Sequence, residues 1–370
     1  MIADAPAQAA AQTAAQHPCR LSICITTRNR CTALLETLES ALAQMPEGVE
    51  VVVVDGVSTD DTPTAMGALA ARDARVRYFR ETVNGGIDRD YDKAVGYARG
   101  IYCWMMADDD LFLPGAIDRV LQALTGEPSL VVVDAEVRDE TLTRLLQPCR
   151  LHLERDIRYG PAQTEALFTA TADHLSFIGA TVVRRSLWLS REREAYYGSY
   201  FIHLGVIFQQ PLPGDAVVLA RPGIAIRYGV ASWSPRAFEI SGFLWPRLIW
   251  SFNGLSEQAR AAVSARQPFD ALRILLMLRA GGGYSLSSYR RWLAGCPGPA
   301  WRRALQQAIA VTPGWLLNPL ALGWLLAFSR KDHRYRDLID QLNSPYCLLR
   351  GPWRRLQAAR ARALRPPPSR

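Results

Sequence analysis

Much of what commonly announces a function is missing from this 370-residue chain. Its seven cysteines (Cys19, Cys24, Cys31, Cys103, Cys149, Cys296 and Cys347) are odd in number and never stand as C-x-x-C, which argues against a disulfide framework and a zinc site. Cys24 and Cys103 fall inside apolar runs, where a free thiol behaves as a small hydrophobe, and a reducing compartment fits best. There is no G-x-x-x-x-G-K-[ST] and no strand-linked G-x-G-x-x-G, so P-loop and dinucleotide readings are weak. G-x-S-x-G and H-E-x-x-H are absent too. No stretch of about eighteen uninterrupted apolar residues offers a membrane span. The nearest, Pro313 to Phe328, is broken by Asn318 and Pro319, and suits a core, interfacial or re-entrant helix. The Ala/Gln-rich Met1 to Pro18 lacks a basic start and an apolar centre, and reads as a disordered leader rather than a signal peptide.

What is present has globular proportions, 49% hydrophobic and 21% charged. The formal charge of +8 is unevenly placed. The last forty-one residues hold eleven Lys or Arg against three Asp, so the whole excess lies there and the body is neutral. A nucleic-acid-binding fold would carry its basic stripe on the body, so nucleic acid is not an expected partner.

Along the chain, Leu21 to Thr27 reads as a strand, followed by a helix to about Ala43 with Leu34, Leu35, Leu38 and Leu42 at helical spacing. Val49 to Asp55 is a Val-rich strand of the kind buried on both faces of a parallel sheet. Val76 to Arg80, Ile101 to Ala107 and Leu130 to Asp134 continue the series, with helices expected at Asp90 to Arg99 and Gly115 to Leu124. This alternation is the signature of an open α/β sheet, whose ligands bind beyond the carboxyl ends of the strands. Polar clusters occur at those ends, at Thr26 to Arg30, Asp55 to Asp60 and Asp108 to Asp110, and one crevice would collect them.

Three adjacent carboxylates at a strand end repel one another unless a positive charge sits among them. A hard divalent cation, Mg2+ or Mn2+, sharing its remaining positions with phosphate is the usual resolution. An acidic cluster facing a helix N-terminus is the plainer alternative. The glycines Gly281 to Gly283 follow an expected helix (Ala271 to Leu278) and suit a C-cap and loop better than a phosphate cradle.

The runs ITTRNR, VVVVDGVSTDDT, NGG…AVGYARGIYCWMMADDD and the later Pro114, in this order and spacing, resemble the GT-A domain of family 2 glycosyltransferases over roughly residues 20–235. The runs GGIDRDYDKAV, SFIGATVVRRSLW and YFIHLGVIFQ are most similar to abequosyltransferase-like enzymes of bacterial surface-polysaccharide assembly. The resemblance implies a GT-A, Rossmann-like, mostly parallel sheet with helices on both faces, a nucleotide-sugar donor, a divalent metal, and transfer with inversion. Carried over by motif, Thr26, Arg28 and Asp55 line the nucleotide pocket, with Asp55 accepting from the base. Asp108, Asp109 and Asp110 supply the DXD motif and the metal ligands, and Asp92 a donor contact. Where the family helix opens on Ala-Arg-Asn, this chain has Asp90-Tyr91-Asp92. The family's usual Glu-Asp pair, whose Asp is the base that deprotonates the acceptor, is replaced by Ile202-His203, making His203 the first candidate base. Asp173, Glu192 and Glu194 are the other candidates. In similar enzymes a loop near Arg227 and Trp233 closes over the diphosphate.

The expected organisation is a leader (1–18), a GT-A domain (19–238), a mainly helical region (239–350) and a basic tail (351–370). Trp- and Leu-rich segments followed by Arg suit a surface lying on an anionic membrane. The resulting expectation is a metal-dependent glycosyltransferase acting on a polyprenyl-linked O-antigen or exopolysaccharide acceptor at the cytoplasmic face of the inner membrane. A sugar-nucleotide pyrophosphorylase lacks support, because its Gly-rich signature is absent after the first strand. A catalytically silent GT-A module that binds sugar nucleotide or scaffolds an assembly complex is the alternative.

Overall fold

A computed structural model describes residues 19–230, 236–328, 338–353 and 355. The expected leader, Trp233 and most of the basic tail lie outside the described residues. The described chain divides into two compact units, one up to Ala135 with Leu151–Ala225, the other Glu136–Arg150 with the residues from Ile226 on.

The first unit is an α/β sheet. Strands β1 (Leu21–Thr27), β2 (Val49–Asp55), β3 (Val76–Arg80) and β4 (Tyr102–Met106) lie parallel in the order β3-β2-β1-β4. Helices α1 (Cys31–Leu42), α2 (Thr62–Arg72) and α3 (Ile87–Tyr97) connect them. Every residue of β1, β2 and β4 is buried, which is why these strands read as unbroken apolar runs rather than alternating ones. In α1 the helical spacing buries Leu34, Thr37, Leu38 and Ala41, while Leu35 turns outward at 38% exposure.

Beyond β4 the pairing changes sense. After β5 (Leu111–Phe112) and α4 (Ala116–Ala123), the chain enters β6 (Leu130–Arg138). Further on come β8 (Ile157–Tyr159), α5 (Thr164–Leu175), β9 (Thr181–Arg184), α6 (Arg185–Ser190), α7 (Ile202–Phe208) and β10 (Ala216–Arg227). β9 inserts antiparallel between β4 and β6, and β10 pairs antiparallel with β5 and β8. The four parallel strands thus carry the motif-bearing ends, and the antiparallel remainder extends the sheet.

In the second unit, the end of β6 pairs with β7 (Leu145–Gln147). The rest is helical: α8 (Trp245–Ser251), α9 (Glu257–Val263), α10 (Leu272–Gly281), α11 (Ala300–Val311) and α12 (Gly314–Phe328). Its core gathers Phe238, Phe269, Leu275, Tyr284, Tyr289 and Leu293, with Phe238 stacked on Phe269 at 4.4 Å. Gly282, at φ +90°, ends α10 as a left-handed cap, as expected for the glycine run.

Candidate active site

Sheet register brings the three polar clusters together. Thr27 lies opposite Asp55 on one side of β1, and Ile25 lies opposite Met106 on the other. The carboxyl ends of β1, β2 and β4 therefore stop at one level. Side-chain bonds then cross between them. Thr27 Oγ1 donates to Asp108 Oδ2 at 2.7 Å. Arg30 Nη2 donates to Asp109 Oδ2 at 2.6 Å, and its Nε stands 3.5 Å from Asp108 Oδ1. Thr37 of α1 donates to the Asp110 backbone carbonyl at 2.8 Å.

All three carboxylates are buried, at 7%, 8% and 3% exposure. Burial pushes the Asp108 carboxyl up to about 6, Arg30 pulling it back and the Asp109 charge adding to the rise. Sequence reasoning placed the acidic run here but gave Arg30 no role. Its signal was present in ITTRNR, an Arg just beyond β1 on the side facing the acidic run. Among the described residues no three His, Cys, Asp or Glu side chains converge to hold an ion by themselves.

The turn after β2 is stitched to the turn after β1. Ser58 Oγ accepts from the Asn29 backbone N–H at 2.9 Å, and Asn29 Oδ1 accepts from that of Thr59 at 2.6 Å. Asn29 and Val57 both take positive φ, 56° and 68°. A β-branched residue in that region is strained, and such strain persists where the surroundings over-determine it. Thr26 is buried and Arg28 exposed at this rim.

Three of the expected site residues are held by partners that the sequence does not reveal. Asp55 is fully buried; Oδ1 accepts from the Ser58 N–H at 2.7 Å and Oδ2 from the Tyr78 hydroxyl at 2.6 Å. As it stands it braces the turn and presents no open face to a base. Asp92 accepts from Trp188 Nε1 at 2.8 Å and the Tyr197 hydroxyl at 2.5 Å, with Arg193 Nε at 2.9 Å. It anchors the 188–197 segment to α3. His203 is 1% exposed, Nε2 2.6 Å from the Leu175 carbonyl, and burial lowers its pKa to about 4. The ring has no exposed edge toward an acceptor, so the geometry lends no support of its own to His203 as base.

Asp88, one helical turn before Asp92, was missed. It accepts from the backbone N–H groups of Gly198 (2.8 Å), Tyr200 (2.9 Å) and Ile202 (3.1 Å). Asp88 and Asp92 are i and i+4 on α3, so one helix face secures the whole 188–202 segment. The other candidate bases, Glu192, Glu194 and Asp173, are all exposed, Asp173 on an otherwise largely buried turn of α5.

Residues 22–187 match the family described as "Glycosyl transferase family 2". Over these residues the chain is similar to family 2 glycosyltransferases. Similar proteins carry related names. The chain is 23% identical to the abequosyltransferase RfbV of Salmonella typhimurium, over 56% of this chain and 63% of that protein. It is 33% identical to the succinoglycan biosynthesis protein ExoO of Rhizobium meliloti, over 29% and 30%. A GalNAc(5)-diNAcBac-PP-undecaprenol beta-1,3-glucosyltransferase of Campylobacter jejuni is 29% identical over 28% and 34%. The chain thus spans less than two thirds of the length of these relatives. A crystal structure of Staphylococcus aureus TarS residues 1–349 shares the fold, with TM-score 0.52 at 15% identity over 88% of this chain and 90% of that one. The α/β fold expected from the sequence is thus the one these residues adopt.

Proposed function

We propose that this chain transfers a sugar, with inversion, from a nucleotide-sugar donor to a growing bacterial surface glycan. The observation that carries the reading is the meeting of Thr27, Arg30 and Asp108–Asp110 at the carboxyl ends of parallel strands, where α/β sheets bind ligands. Thr26 and Arg28 stand at the same rim for the nucleotide, and Asp108 to Asp110 form the DXD motif. A lipid-linked acceptor is supported by the undecaprenol in the name of the Campylobacter relative.

A hard, all-oxygen donor set fits Mg2+ or Mn2+. Such an ion would take one or two carboxylates of Asp108–Asp110 and complete its shell with diphosphate oxygens and water. When bound it supplies charge neutralisation to the leaving diphosphate. The protein's own contribution is to hold the carboxylates in register through Thr27, Arg30 and Thr37. It also fixes the neighbouring 188–202 segment through Asp88 and Asp92.

Peripheral attachment to an anionic membrane is supported by the second unit. Helix α12 contains no charged residue, and Trp315, Leu316, Leu320, Leu326 and Phe328 are 46–72% exposed. Trp301 and Leu305 of α11 are exposed as well. No helix among the described residues is long and apolar enough to cross a membrane, and α11 and α12 meet at a 101° bend. Apolar side chains of this size facing outward suit burial at a lipid interface, with basic residues toward the headgroups.

The test is turnover across a panel of sugar nucleotides with Mn2+, comparing wild type, Asp109→Ala and EDTA treatment. One donor should turn over, with a loss of about a hundredfold in the variant and in EDTA. Full turnover in both would overturn the metal assignment. The silent binding module is favoured by one observation, the replacement of the Glu-Asp pair by a buried Ile202-His203, and silence with every donor despite nucleotide binding would establish it.

A further inference from the structure

The second unit holds a cavity of about 140 Å3, lined wholly by its own residues. The lining comes from the stretch before α8, the loop between α9 and α10, and the approach to α11 with its first turns. One wall is apolar. The Phe243 and Phe269 rings lie 5.6 Å apart, and Phe269 packs so closely on Gly242 that no Cβ would fit there. The other wall is basic, made of Arg266, Arg302 and Arg303. Gln306, 5% exposed, joins the two walls through Nε2, which donates to the Phe269 carbonyl at 3.1 Å.

The charges in this hollow do not balance. Arg302 pairs with Asp270 at 2.6 Å. Arg303 donates to the Gly298 carbonyl and Arg266 stacks on Trp250 at 4.1 Å, so neither meets a carboxylate among the described residues. Three arginines against one aspartate leave +2 beside an apolar wall, where charges are poorly screened. Guanidinium forks match phosphate oxygens, and a phosphomonoester carries about −1.5 to −2 near neutrality. Size excludes a sugar nucleotide, since pockets for ligands of that order run to about 300–1,000 Å3. Helix α11 indicates what the phosphate is attached to. Arg302 and Gln306, one turn apart, line the cavity, while Trp301 and Leu305, also one turn apart, are 60% and 45% exposed. A ligand with its phosphate inside and hydrocarbon outside would satisfy both faces. We propose that the cavity binds the phosphomonoester head of an anionic lipid, whose chains lie along Trp301 and Leu305.

This rests on the membrane-facing reading of the second unit, and the experiment separates the two. Co-sedimentation is measured with phosphatidylcholine vesicles carrying phosphatidic acid or phosphatidylglycerol at matched surface charge. Wild type should prefer phosphatidic acid about tenfold, the effect of one hydrogen bond to a charged group. Arg266→Gln with Arg303→Gln should abolish the preference. Arg266→Lys with Arg303→Lys, which keeps the charge and loses the forks, should abolish it too while retaining phosphatidylglycerol binding. Arg247→Gln with Arg290→Gln removes the same charge from exposed positions outside the cavity, and should weaken both vesicle types alike. Equal binding of the two vesicle types by wild type would overturn the proposal, as would a preference that survives in both cavity variants. Loss of the preference in excess inorganic phosphate, with an equal rise in unfolding temperature from that ion alone, would assign the cavity to free phosphate and overturn the lipid. Wild type that sediments with no vesicle would overturn the membrane reading itself.

Discussion

Arg30, just beyond β1, donates from Nη2 to Asp109 Oδ2 at 2.6 Å while its Nε faces Asp108. One guanidinium thus holds two buried carboxylates in the place where a cation is expected. Removing it should leave them uncompensated. Arg30→Ala is expected to lose about 1.5–3 kcal/mol of stability, the usual scale for hydrogen bonds to charged groups. It should also gain more in unfolding temperature from Mn2+ than wild type does. An identical Mn2+ response in the two proteins would count against cation binding at these carboxylates.

The three N–H groups that Asp88 accepts are in a segment where Tyr200 takes φ +70°. Burial raises the Asp88 carboxyl pKa, and the Tyr200, Ile202 and Gly198 amides pull against that rise. Asp88→Ala should cost about 2–3 kcal/mol and speed amide exchange at Gly198, Tyr200 and Ile202 by at least tenfold. Exchange unchanged at those amides would show that the segment is held by other contacts.

His203 gives a pH signature with a definite sign. Its folded pKa is about 4 against 6.5 for the free side chain, so between these values the unfolded chain binds the proton and the folded one resists it. Its contribution is intact above pH 6.5 and is lost as pH falls toward 4. Relative to His203→Gln, wild type should lose up to about 3 kcal/mol across that window. Chemical denaturation at pH 7.5 and pH 4.5 measures this. Parallel pH dependence in the two proteins would remove His203 as the cause. The same variant, if it folds, should keep the wild-type pH–rate profile near neutrality, since the ring does not reach the acceptor.

The outward row on α12 predicts membrane behaviour that does not depend on the basic tail alone. Leu320, at 70% exposure, has no packing to lose. Leu320→Asp should leave stability within about 0.5 kcal/mol of wild type. Paired with Trp315→Ser, it should reduce co-sedimentation with vesicles containing anionic lipid severalfold. Retained sedimentation would return the row to another use.

Strands β1, β2 and β4 could be read before any coordinates, because strands buried on both faces must be apolar throughout and because each of these three ended in a polar cluster. Asp108 to Asp110 were legible for the same reason. What escaped was how side chains choose among neighbours that only the fold supplies. Asp55, Asp90 and Asp92 look alike along the chain. Tyr78 and Ser58 close the first, Trp188 and Tyr197 tie up the last, and Asp90 is left without a partner at Oδ1. The i, i+4 spacing of Asp88 and Asp92 marked one face of a helix, yet not what that face would hold. For His203, residue type fixes the intrinsic pKa while burial decides the operative one.

The sequence by itself determined the sheet, the level at which its strands end and the family of chemistry gathered there, since hydrophobic period and strand-end polarity are local properties. Which carboxylate braces, which anchors and which is buried with an unpaired oxygen was decided only by tertiary structure. Hydrogen-bond partners more than twenty residues away, and the exclusion of water around them, set what each group can still do.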